Sequence, residues 1–275
     1  MARSRVPFMN ELIGRLFNSQ INDLSAQLAF YFLLSLFPLL IVLLTLLPFL
    51  HLKPDPVIQW LISNAPGEAS ALIEANVRPL LTKASGGLLS LGILATLWSA
   101  SNATSALFRA LNKAYYVEES RPYWKVKIMA IMLTIGMVMV IAVTLALPVF
   151  GNLILTWASR LILFPPIVAG VLNIIRWVLG SVIMLLVLML LYYIAPDVRL
   201  EWSYVLPGAV VATVGWQLIS LGFSYYISSF ANYTSTYGSL GGVILLMMWF
   251  FLTGFILMVG GEVNAVYFYR LKRSM

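Results

Sequence analysis

The sequence contains sixty consecutive residues, Trp202 to Gly261, in which no side chain carries a charge. Soluble domains carry about 25% charged residues, so a run of this length is typical of a chain that folds in a bilayer. A spanning helix needs about 20 apolar residues at about 1.5 Å of rise each. The run therefore predicts two membrane spans joined by a short polar turn at 228–239, which is rich in tyrosine and hydroxyl groups.

The composition of the whole chain extends this interpretation. Hydrophobic residues make up 61% of the 275 residues, charged residues make up 10%, and the mean hydropathy is +0.93. We predict an all-α polytopic membrane protein with a single membrane domain, 1–275, and about six transmembrane helices. The predicted spans are 28–50, 88–108, 128–147, 177–194, 203–227 and 240–263.

Three further segments surround these spans. Apolar residues at helical spacing predict an amphipathic N-terminal helix at 6–20 that lies on the membrane surface. Residues 52–85 mix charged and apolar positions and are predicted as an outer interfacial segment. The form of residues 149–176 stays open, because two arginines and two adjacent prolines make them too polar for another span.

The distribution of cations predicts the orientation. Six spans place both termini on one side of the membrane. With that side cytoplasmic, twelve of the 17 lysines and arginines lie in cytoplasmic segments, and only five lie in outer segments. The positive-inside rule therefore predicts cytoplasmic N- and C-termini.

Charge and composition also limit the partners and the chemistry. The net charge of +7 is spread over separate loops, which favours anionic lipid head groups at the cytoplasmic face as partners and disfavours nucleic acid. The chain has no cysteine and one histidine, and it contains neither a GxxxxGK[ST] nor an HExxH motif. We therefore expect no metal, no cofactor and no enzymatic activity. A homo-oligomer or an envelope-protein partner stays open.

Two polar stripes are candidate linings of a substrate pathway. Their members recur at steps of three and four residues, so each stripe occupies one helix face. On the second predicted span the stripe is Asn102, Ser105, Arg109 and Asn112, and on the fifth it is Thr213, Gln217, Ser220 and Ser224. Lipid offers no hydrogen bonds, so both stripes are expected to face other helices or a wet cavity, and the two alternatives stay open.

The acid that ends the uncharged run is a candidate gate. Glu262 is the sole acid in any predicted span, and Asn264 follows two residues later. A protonated Glu262, or one paired with Arg109 or Arg121, is able to gate or couple ion movement, whereas the alternative is a carboxylate that fixes the depth of the helix. The predicted pathway or gate also includes Tyr233 and Tyr237 of the polar turn.

Small residues predict one close helix contact. Gly208 and Ala212 form a small-xxx-small face on the fifth predicted span. Such faces allow two helix backbones to approach each other closely in a membrane. We therefore expect this face to pack against another helix rather than to bind a substrate.

Several short stretches resemble the YihY/virulence factor BrkB family of bacterial membrane proteins, formerly labelled ribonuclease BN. The resemblance covers roughly residues 20–266. In the final stretch, Gly-Gly-Glu-Val-Asn-Ala, the family more often has Gly-Ala-Glu-Leu-Asn-Ala. The stretches are 24–31, 98–102, 110–115, 118–122, 206–208, 233–241 and 260–265.

The resemblance implies a six-helix protein of the bacterial cytoplasmic membrane, connected in some members with envelope integrity, serum resistance or tolerance of ions and osmolytes. We expect a transporter or flippase for a lipid-linked, ionic or osmolyte solute. The alternative is a non-transporting scaffold for envelope or lipid-handling partners. Ribonuclease activity is disfavoured, because the short cytoplasmic loops lack a cluster of metal-binding acids.

Overall fold

All regular structure in the described residues is helical. The computed structural model describes residues 8–18, 21–46, 48–49, 58–59, 78, 85–139, 166–229 and 239–274. The helices are α1, Phe8–Asn18; α2, Ile21–Leu46; α3, Gly86–Ala114; α4, residues 123–139; α5, Pro166–Ile194; α6, Trp202–Ser229; and α7, Ser239–Ser274.

The protein is a polytopic helical membrane protein, as predicted. Within the described ranges, the segments long and apolar enough to cross a membrane are Ile21–Leu46, Trp177–Ile194, Trp202–Ser228 and Gly241–Lys272. The second predicted span lies inside α3, whose 29 residues extend about 43 Å. The third predicted span continues past the described part of α4. The count of six spans therefore stays a prediction.

Other predicted segments lie wholly or partly outside the described residues. Most of the outer segment 52–85 lies outside them, as do residues 149–165 and the tyrosines Tyr233 and Tyr237. Residues 166–176, whose form the sequence left open, are the first turns of α5 and run into the fourth predicted span without a break. Helix α1 occupies most of the predicted N-terminal helix 6–20.

The chain forms two compact units. One comprises Met1–Ala29 with Thr104–Met275, and the other comprises Phe30–Ala103. In the second unit α2 and α3 pack closely at Gly92, where an added Cβ atom would lie 3.1 Å from Cγ2 of Val42. Every side chain in the two clusters described in the next subsection belongs to the first unit.

Helices α6 and α7 pack against each other extensively, and glycines bring their backbones together. A Cβ atom at Gly208 would overlap the backbone oxygen of Gly260 and the side-chain amide of Asn264. A Cβ atom at Gly260 would in turn lie 2.9 Å from Cβ of Ala212. The close packing predicted for the Gly208–Ala212 face is confirmed, and its partner is α7.

Helix α5 joins the same contact through a tyrosine. The buried Tyr192 donates a hydrogen bond of 2.7 Å from its hydroxyl to the backbone oxygen of Leu257 on α7. Its hydroxyl also occupies the space that a Cβ atom at Gly260 would need. The C-terminal part of α5 is thereby fixed against the middle of α7.

Helix α1 packs on the C-terminal half of α7. Its buried Leu12 contacts Val263 and Val266, with Phe8 and Leu16 beside them. A second stripe of α1 is exposed and apolar, and its members are Met9, Ile13 and Phe17. Because Glu11 and Arg15 flank the buried face of α1 on the side away from the exposed stripe, the packing of α1 brings both charged side chains to α7.

Candidate functional site

Helix α7 carries a nearly inaccessible carboxylate at its contact with α1. Glu262 is 3% exposed, and Nη1 of Arg15 lies 3.5 Å from its Oε2. Nη2 of Arg15 lies 3.7 Å from Oε1 of Glu11, and Nε of Arg270 donates to Oε2 of Glu11 at 3.1 Å. We call these four side chains the Glu262 cluster. Its charges alternate in sign and sum to zero.

The guanidinium of Arg15 is also held by the end of α3. Nη1 of Arg15 donates to the backbone oxygen of Ala114 at 3.3 Å. The guanidinium carbon lies 5.0 Å from the ring centre of Tyr116 and 5.7 Å from that of Tyr269, within the range of cation–π attraction. Arg15 therefore connects α1, α3 and α7 at one point.

The turn that ends α3 has an unusual residue at its left-handed position. Tyr116 has a φ of 49°. The N–H of Val117 donates to the oxygen of Asn112, and the N–H of Tyr116 donates to that of Lys113, both at 3.0 Å. This is the Schellman pattern, in which glycine is the usual residue at the left-handed position. A tyrosine there is strained, and its ring is the one that contacts Arg15.

Tyr115, the preceding residue, faces the interior of the same unit. Its side chain is 1% exposed, and its backbone oxygen accepts a hydrogen bond from the hydroxyl of Tyr269. Burial raises the pKa of the Tyr115 hydroxyl far above its ordinary value, and nearby Tyr269 and Glu262 raise it further. The hydroxyl is therefore neutral at every physiological pH and has no hydrogen-bond partner.

Asn264 links α7 to α6 beside this cluster. Its Oδ1 accepts a hydrogen bond of 2.6 Å from the backbone N–H of Gly208. Nδ2 of Asn264 and Oε2 of Glu262 are both buried without a hydrogen bond. Buried polar atoms are nearly always hydrogen-bonded in proteins. Two unpaired atoms on residues two positions apart therefore make this turn of α7 exceptional.

A second set of polar side chains lies between the end of α3 and the α5–α6 connection. We call Asn112, Glu119, Ser120, Arg121 and Asp197 the Arg121 cluster. Arg121 binds Glu119 through two hydrogen bonds, Nε to Oε1 at 2.5 Å and Nη2 to Oε2 at 2.7 Å. It also donates to the backbone oxygens of Ile194 and Ala195 at 3.2 and 2.9 Å. Arg121 thus caps the C-terminus of α5.

The remaining members complete this connection. The side chain of Asn112 donates to Oε2 of Glu119 at 2.9 Å and accepts from the N–H of Asp197 at 2.7 Å. Oδ2 of Asp197 accepts hydrogen bonds from the N–H and the hydroxyl of Ser120. Hydrogen bonds from Arg121 lower the pKa of Glu119, and those from Ser120 lower the pKa of Asp197. Both carboxylates are therefore ionised at neutral pH.

A shallow cavity of about 350 Å³ opens beside this connection, at the C-terminal end of α3. It combines exposed cations with the strained turn and with one edge of the Arg121 cluster. Its lining residues are Arg109, Asn112, Lys113, Tyr116, Val117, Glu118 and Glu119.

The residues of the stripe on α6 have different surroundings, and Gln217 bonds a neighbouring helix. The hydroxyl of Thr213 donates to the oxygen of Ala209 on its own helix at 2.8 Å, and Nε2 of Gln217 donates to the hydroxyl of Ser181 on α5 at 2.8 Å. The hydroxyl of Ser220 is buried without a hydrogen bond, and Ser224 is exposed. The Gln217 contact is one between helices, and the choice between helix packing and a cavity lining stays open for the stripe.

The stripe on α3 divides along the helix. Asn102 is half-buried in the second unit, Ser105 and Asn112 are buried, and Arg109 is exposed in the cavity lining. Of the two cations considered as partners for Glu262, Arg109 lines the cavity and Arg121 binds Glu119, and the cation that the structure places at Glu262 is Arg15.

Several residues of these clusters were not singled out from the sequence. Arg15 and Glu11 carry an i, i+4 ion-pair spacing on the amphipathic helix, and this spacing was the available signal for them. Glu119 belongs to a stretch that carries the family resemblance, and Asp197 follows Pro196 at the end of a span. No local pattern predicts Tyr116 at a left-handed position, where glycine is expected.

Comparison with known proteins identifies the family. The chain is 46% identical over 265 residues to a Bacillus subtilis (strain 168) protein described as ribonuclease-like, YfkH, covering 96% of each chain. It is 28% identical to a UPF0761 membrane protein of Vibrio campbellii, covering 94% of this chain and 82% of the relative. No solved structure matches. The profile of the virulence factor BrkB family matches residues 12–274, and the chain therefore belongs to this family of membrane proteins.

Proposed function

We propose that this protein is a transporter or flippase of the bacterial cytoplasmic membrane, for a lipid-linked, ionic or osmolyte solute connected with the cell envelope. In this proposal the Glu262 cluster closes the pathway at the cytoplasmic side. The observation that carries the proposal is the buried ion pair between Arg15 of a surface helix and Glu262 of a spanning helix.

Burying this ion pair costs free energy, so its presence indicates a functional role. Desolvation of two charges in a protein interior costs several kcal/mol per ion, and Coulomb attraction offsets this only with good geometry. Arg15 and Glu262 approach to 3.5 Å, but Oε2 of Glu262 has no hydrogen bond. Ionisable groups within spanning segments are most often functional, and an imperfect buried pair suits a contact that separates during a cycle.

The ion pair of the Arg121 cluster is stronger than the ion pair of the Glu262 cluster. Glu119 and Arg121 form a bidentate pair at 2.5 and 2.7 Å, and Arg121 also caps α5. Charge-assisted bidentate pairs are about twice as strong as neutral hydrogen bonds. We therefore assign opening to the Glu262 cluster, with α1 moving away from α7, while the Arg121 cluster keeps α3, α5 and α6 together.

The proposal is tested with purified protein in liposomes. We expect the wild type to move a fluorescent lipid or to dissipate an imposed ion or osmolyte gradient faster than empty liposomes. Glu262→Gln and Arg15→Gln are expected to speed dissipation of the gradient at least about tenfold, because each removes one charge of the pair that holds the pathway closed. Glu201→Gln is the matched control, since Glu201 is an exposed acid outside both clusters.

Two results would count against transport. The first is flux no faster than in empty liposomes for every candidate solute. The second is equal flux in wild type and in Glu262→Gln at equal amounts of folded protein, which removes the role given to the buried pair.

One observation favours a second function, a non-transporting scaffold for envelope or lipid-handling partners. Gln217 of α6 is hydrogen-bonded to Ser181 of α5, and Thr213 is satisfied within its own helix. Polar residues sealed in helix contacts stabilise a bundle without providing a pathway. In this case Gln217→Leu lowers the unfolding temperature and leaves no flux to alter, whereas a pathway residue alters flux at unchanged stability.

We also propose that the chain is not an enzyme. The ribonuclease-like description belongs to the Bacillus relative. In this sequence a single histidine and the lack of cysteine leave few side chains for metal-dependent hydrolysis. Incubating the purified protein with labelled RNA and Mg²⁺ or Zn²⁺ tests this point. Cleavage that disappears in a variant of its acidic residues would overturn it.

A further inference from the structure

We propose that the groups of α7 and of the end of α3 that surround Arg15 form a binding site for a small solute with a guanidinium group. Arg15 occupies this site while α1 lies against α7. The site deepens the proposed function, because it narrows the solute to one chemical class, and it rests on the proposed separation of α1 from α7. Binding is measured in detergent and flux in liposomes, so a failure of one is distinguishable from a failure of the other.

Four groups outside α1 surround the guanidinium of Arg15. Its Nη1 lies 3.3 Å from the backbone oxygen of Ala114 and 3.5 Å from Oε2 of Glu262. The ring centres of Tyr116 and Tyr269 lie 5.0 and 5.7 Å from its central carbon. A carboxylate, a carbonyl oxygen and two aromatic rings recognise an organic cation by charge, hydrogen bonding and cation–π attraction. We call these four groups the guanidinium site.

The end of α3 adds to the attraction for a cation. Ala114 is the last residue of this helix, and its backbone oxygen is the one that faces Arg15. The last carbonyls of a helix carry a partial negative charge, equivalent to about half an elementary charge. The guanidinium site therefore combines a full negative charge on α7 with a partial one on α3.

The other two charges of the Glu262 cluster pair with each other. Nε of Arg270 donates to Oε2 of Glu11 at 3.1 Å, and its guanidinium carbon lies 5.3 Å from the ring centre of Phe8. Both of these partners are on α1. The carboxylate of Glu262 is therefore the one that is left for a cation in the guanidinium site.

Arg15 fits this site loosely. Its nitrogens lie 3.5 Å from the carboxylate of Glu262 and 3.7 Å from that of Glu11. Hydrogen bonds between a guanidinium and a carboxylate are ordinarily about 2.7–2.9 Å long, and Arg121 binds its carboxylate partner at 2.5 and 2.7 Å. A free guanidinium is not tethered to α1, so it is able to approach Glu262 more closely than Arg15 does.

The carboxylate oxygen that faces Arg15 is available for a stronger contact. Glu262 is 3% exposed, and its Oε2 has no hydrogen bond. Buried polar atoms nearly always have a hydrogen-bond partner. A guanidinium has several N–H donors in one plane, so a solute is able to bind Oε2 and the Ala114 oxygen together.

Tyr116 provides both the entrance and the clamp. Its side chain is 73% exposed, so a solute is able to reach the guanidinium site from the protein surface beside it. Its backbone is held at a φ of 49°, which is unfavourable for tyrosine. Backbone strain of this kind clusters at ligand clamps. The strained turn thus holds an aromatic ring over the position of the guanidinium.

The first test replaces the tethered guanidinium by a free one. Arg15→Ala protein is purified in detergent with and without methylguanidinium chloride. We expect about 10 mM methylguanidinium to raise its unfolding temperature by about 3 °C, and to raise that of the wild type by less than about 1 °C, because Arg15 competes. Arg15→Ala/Glu262→Gln is expected to show no increase, since the carboxylate is absent. Arg199→Ala, which changes an exposed arginine outside the site, is the control.

The second test measures whether the solute displaces Arg15 itself. Leu12 is buried between α1 and α7, and the chain has no cysteine, so Leu12→Cys reports the opening of this contact. We expect methylguanidinium to raise the rate of maleimide labelling of Leu12→Cys at least about threefold, because the solute favours the state in which α1 has left. Labelling of Leu12→Cys/Glu262→Gln and of the exposed Ser203→Cys is expected to be unaffected by methylguanidinium.

The remaining outcomes are also decisive. Arg15→Gln repeats the first test with a longer side chain, and an increase in neither Arg15 variant would overturn the site. Failure of both variants to fold with methylguanidinium present would overturn it too. An unchanged labelling rate of Leu12→Cys would show that Arg15 is a fixed structural group. Tetramethylammonium offers a cation without N–H donors, so effects equal to those of methylguanidinium would overturn the assignment of a guanidinium.

Discussion

Tyr116 shows how one residue is held in a conformation that it does not favour. A non-glycine residue in the left-handed region costs about 1–2 kcal/mol. The contact between its ring and Arg15 offsets part of this cost, because a cation–π pair contributes about 0.5–2 kcal/mol. The strained turn and the Glu262 cluster are therefore energetically linked through a single aromatic ring.

Two substitutions at Tyr116 separate these two effects. Both Tyr116→Ala and Tyr116→Gly remove the ring, but only glycine relieves the backbone strain. We expect Tyr116→Ala to unfold at lower temperature than Tyr116→Gly, with a difference of about 1 kcal/mol in stability. Thermal unfolding in detergent measures it. Equal stabilities would show that the φ of 49° carries no strain.

At this scale the sequence predicted the α7 residues better than their partners. Glu262 and Asn264 stood out because an acid and an amide end a long uncharged run. Arg15, which pairs with Glu262, lies almost the full chain length away, and its position follows from the burial of Leu12 against Val263 and Val266. Hydrophobic periodicity predicts that α1 has an apolar face, but it does not tell which helix that face contacts.

At the scale of the helices, α6 and α7 cross closely because glycines, which lack side chains, lie at their contact. The small-xxx-small pattern on α6 predicted a close contact, whereas the partner glycines on α7 were not predicted because Gly260 and Gly261 follow no such spacing with one another. The Arg121 cluster was missed for a related reason. Apart from Asn112 on α3, its members come from two connections, 117–122 and 195–201, whose pairing depends on how the helices pack.

The crossing predicts opposite effects of one substitution at two glycines of α6. Gly208→Ala is expected to destabilise the protein by about 3 kcal/mol, because its Cβ atom would overlap the α7 backbone at Gly260. Gly222→Ala has open space around its Cβ atom and is expected to be neutral or stabilising by up to about 1 kcal/mol. Unfolding temperatures in detergent compare the two. A tolerated Gly208→Ala would mean that the helices separate at little cost.

The Arg121 cluster predicts sensitivity to acid. The pKa of folded Glu119 lies below its ordinary value of 4.5, so its stabilising contribution is full above that pH and is lost as the pH falls through the folded-state pKa. Glu119→Gln is expected to cost about 1.5 kcal/mol at pH 7. It is also expected to lose less stability than the wild type as the pH falls below 4.5, because the contribution of Asp197 is the same in both.

Unfolding temperatures at pH 7, 5 and 3 measure this dependence. Glu201→Gln, an exposed acid outside the cluster, is the control. Parallel pH profiles for wild type and Glu119→Gln would show that the ion pair with Arg121 does not stabilise the fold.

At the scale of the whole molecule, the apolar runs predicted the helical membrane fold, but polar α3 obscured the number of spans. The segments with strongest hydropathy coincide with α2, α5, α6 and α7. Helix α3 carries Asn102, Ser105 and Arg109, which reduce its apolar character although its length of about 43 Å exceeds the hydrocarbon thickness of about 30 Å. The assignment of α3 as a span therefore rests on its length more than on its composition.

The absence of cysteine makes the topology directly testable with single-cysteine variants. We expect Ser85→Cys and Ser228→Cys to react with a membrane-impermeant maleimide from the outside, and Ser203→Cys to react only from the cytoplasmic side. Ser85 precedes α3, and Ser203 and Ser228 lie near opposite ends of α6. Labelling of Ser85→Cys from the cytoplasmic side alone would contradict the six-span topology.

Helix α7 has 36 residues and is about 54 Å long, so it extends beyond a hydrocarbon layer of about 30 Å. We expect it to tilt as a rigid lever about the point where Gly260 and Gly261 contact α5, α6 and α3. A tilt of about 10° would displace Arg270, which lies about 14 Å beyond this point, by about 2.5 Å. This is comparable to the 3.1 Å hydrogen bond between Arg270 and Glu11. Because a helix tilts to match the thickness of the bilayer, the acyl-chain length of the lipids is expected to change the tilt of α7. Flux measured in short-chain and long-chain liposomes should differ, and identical flux would rule the lever out.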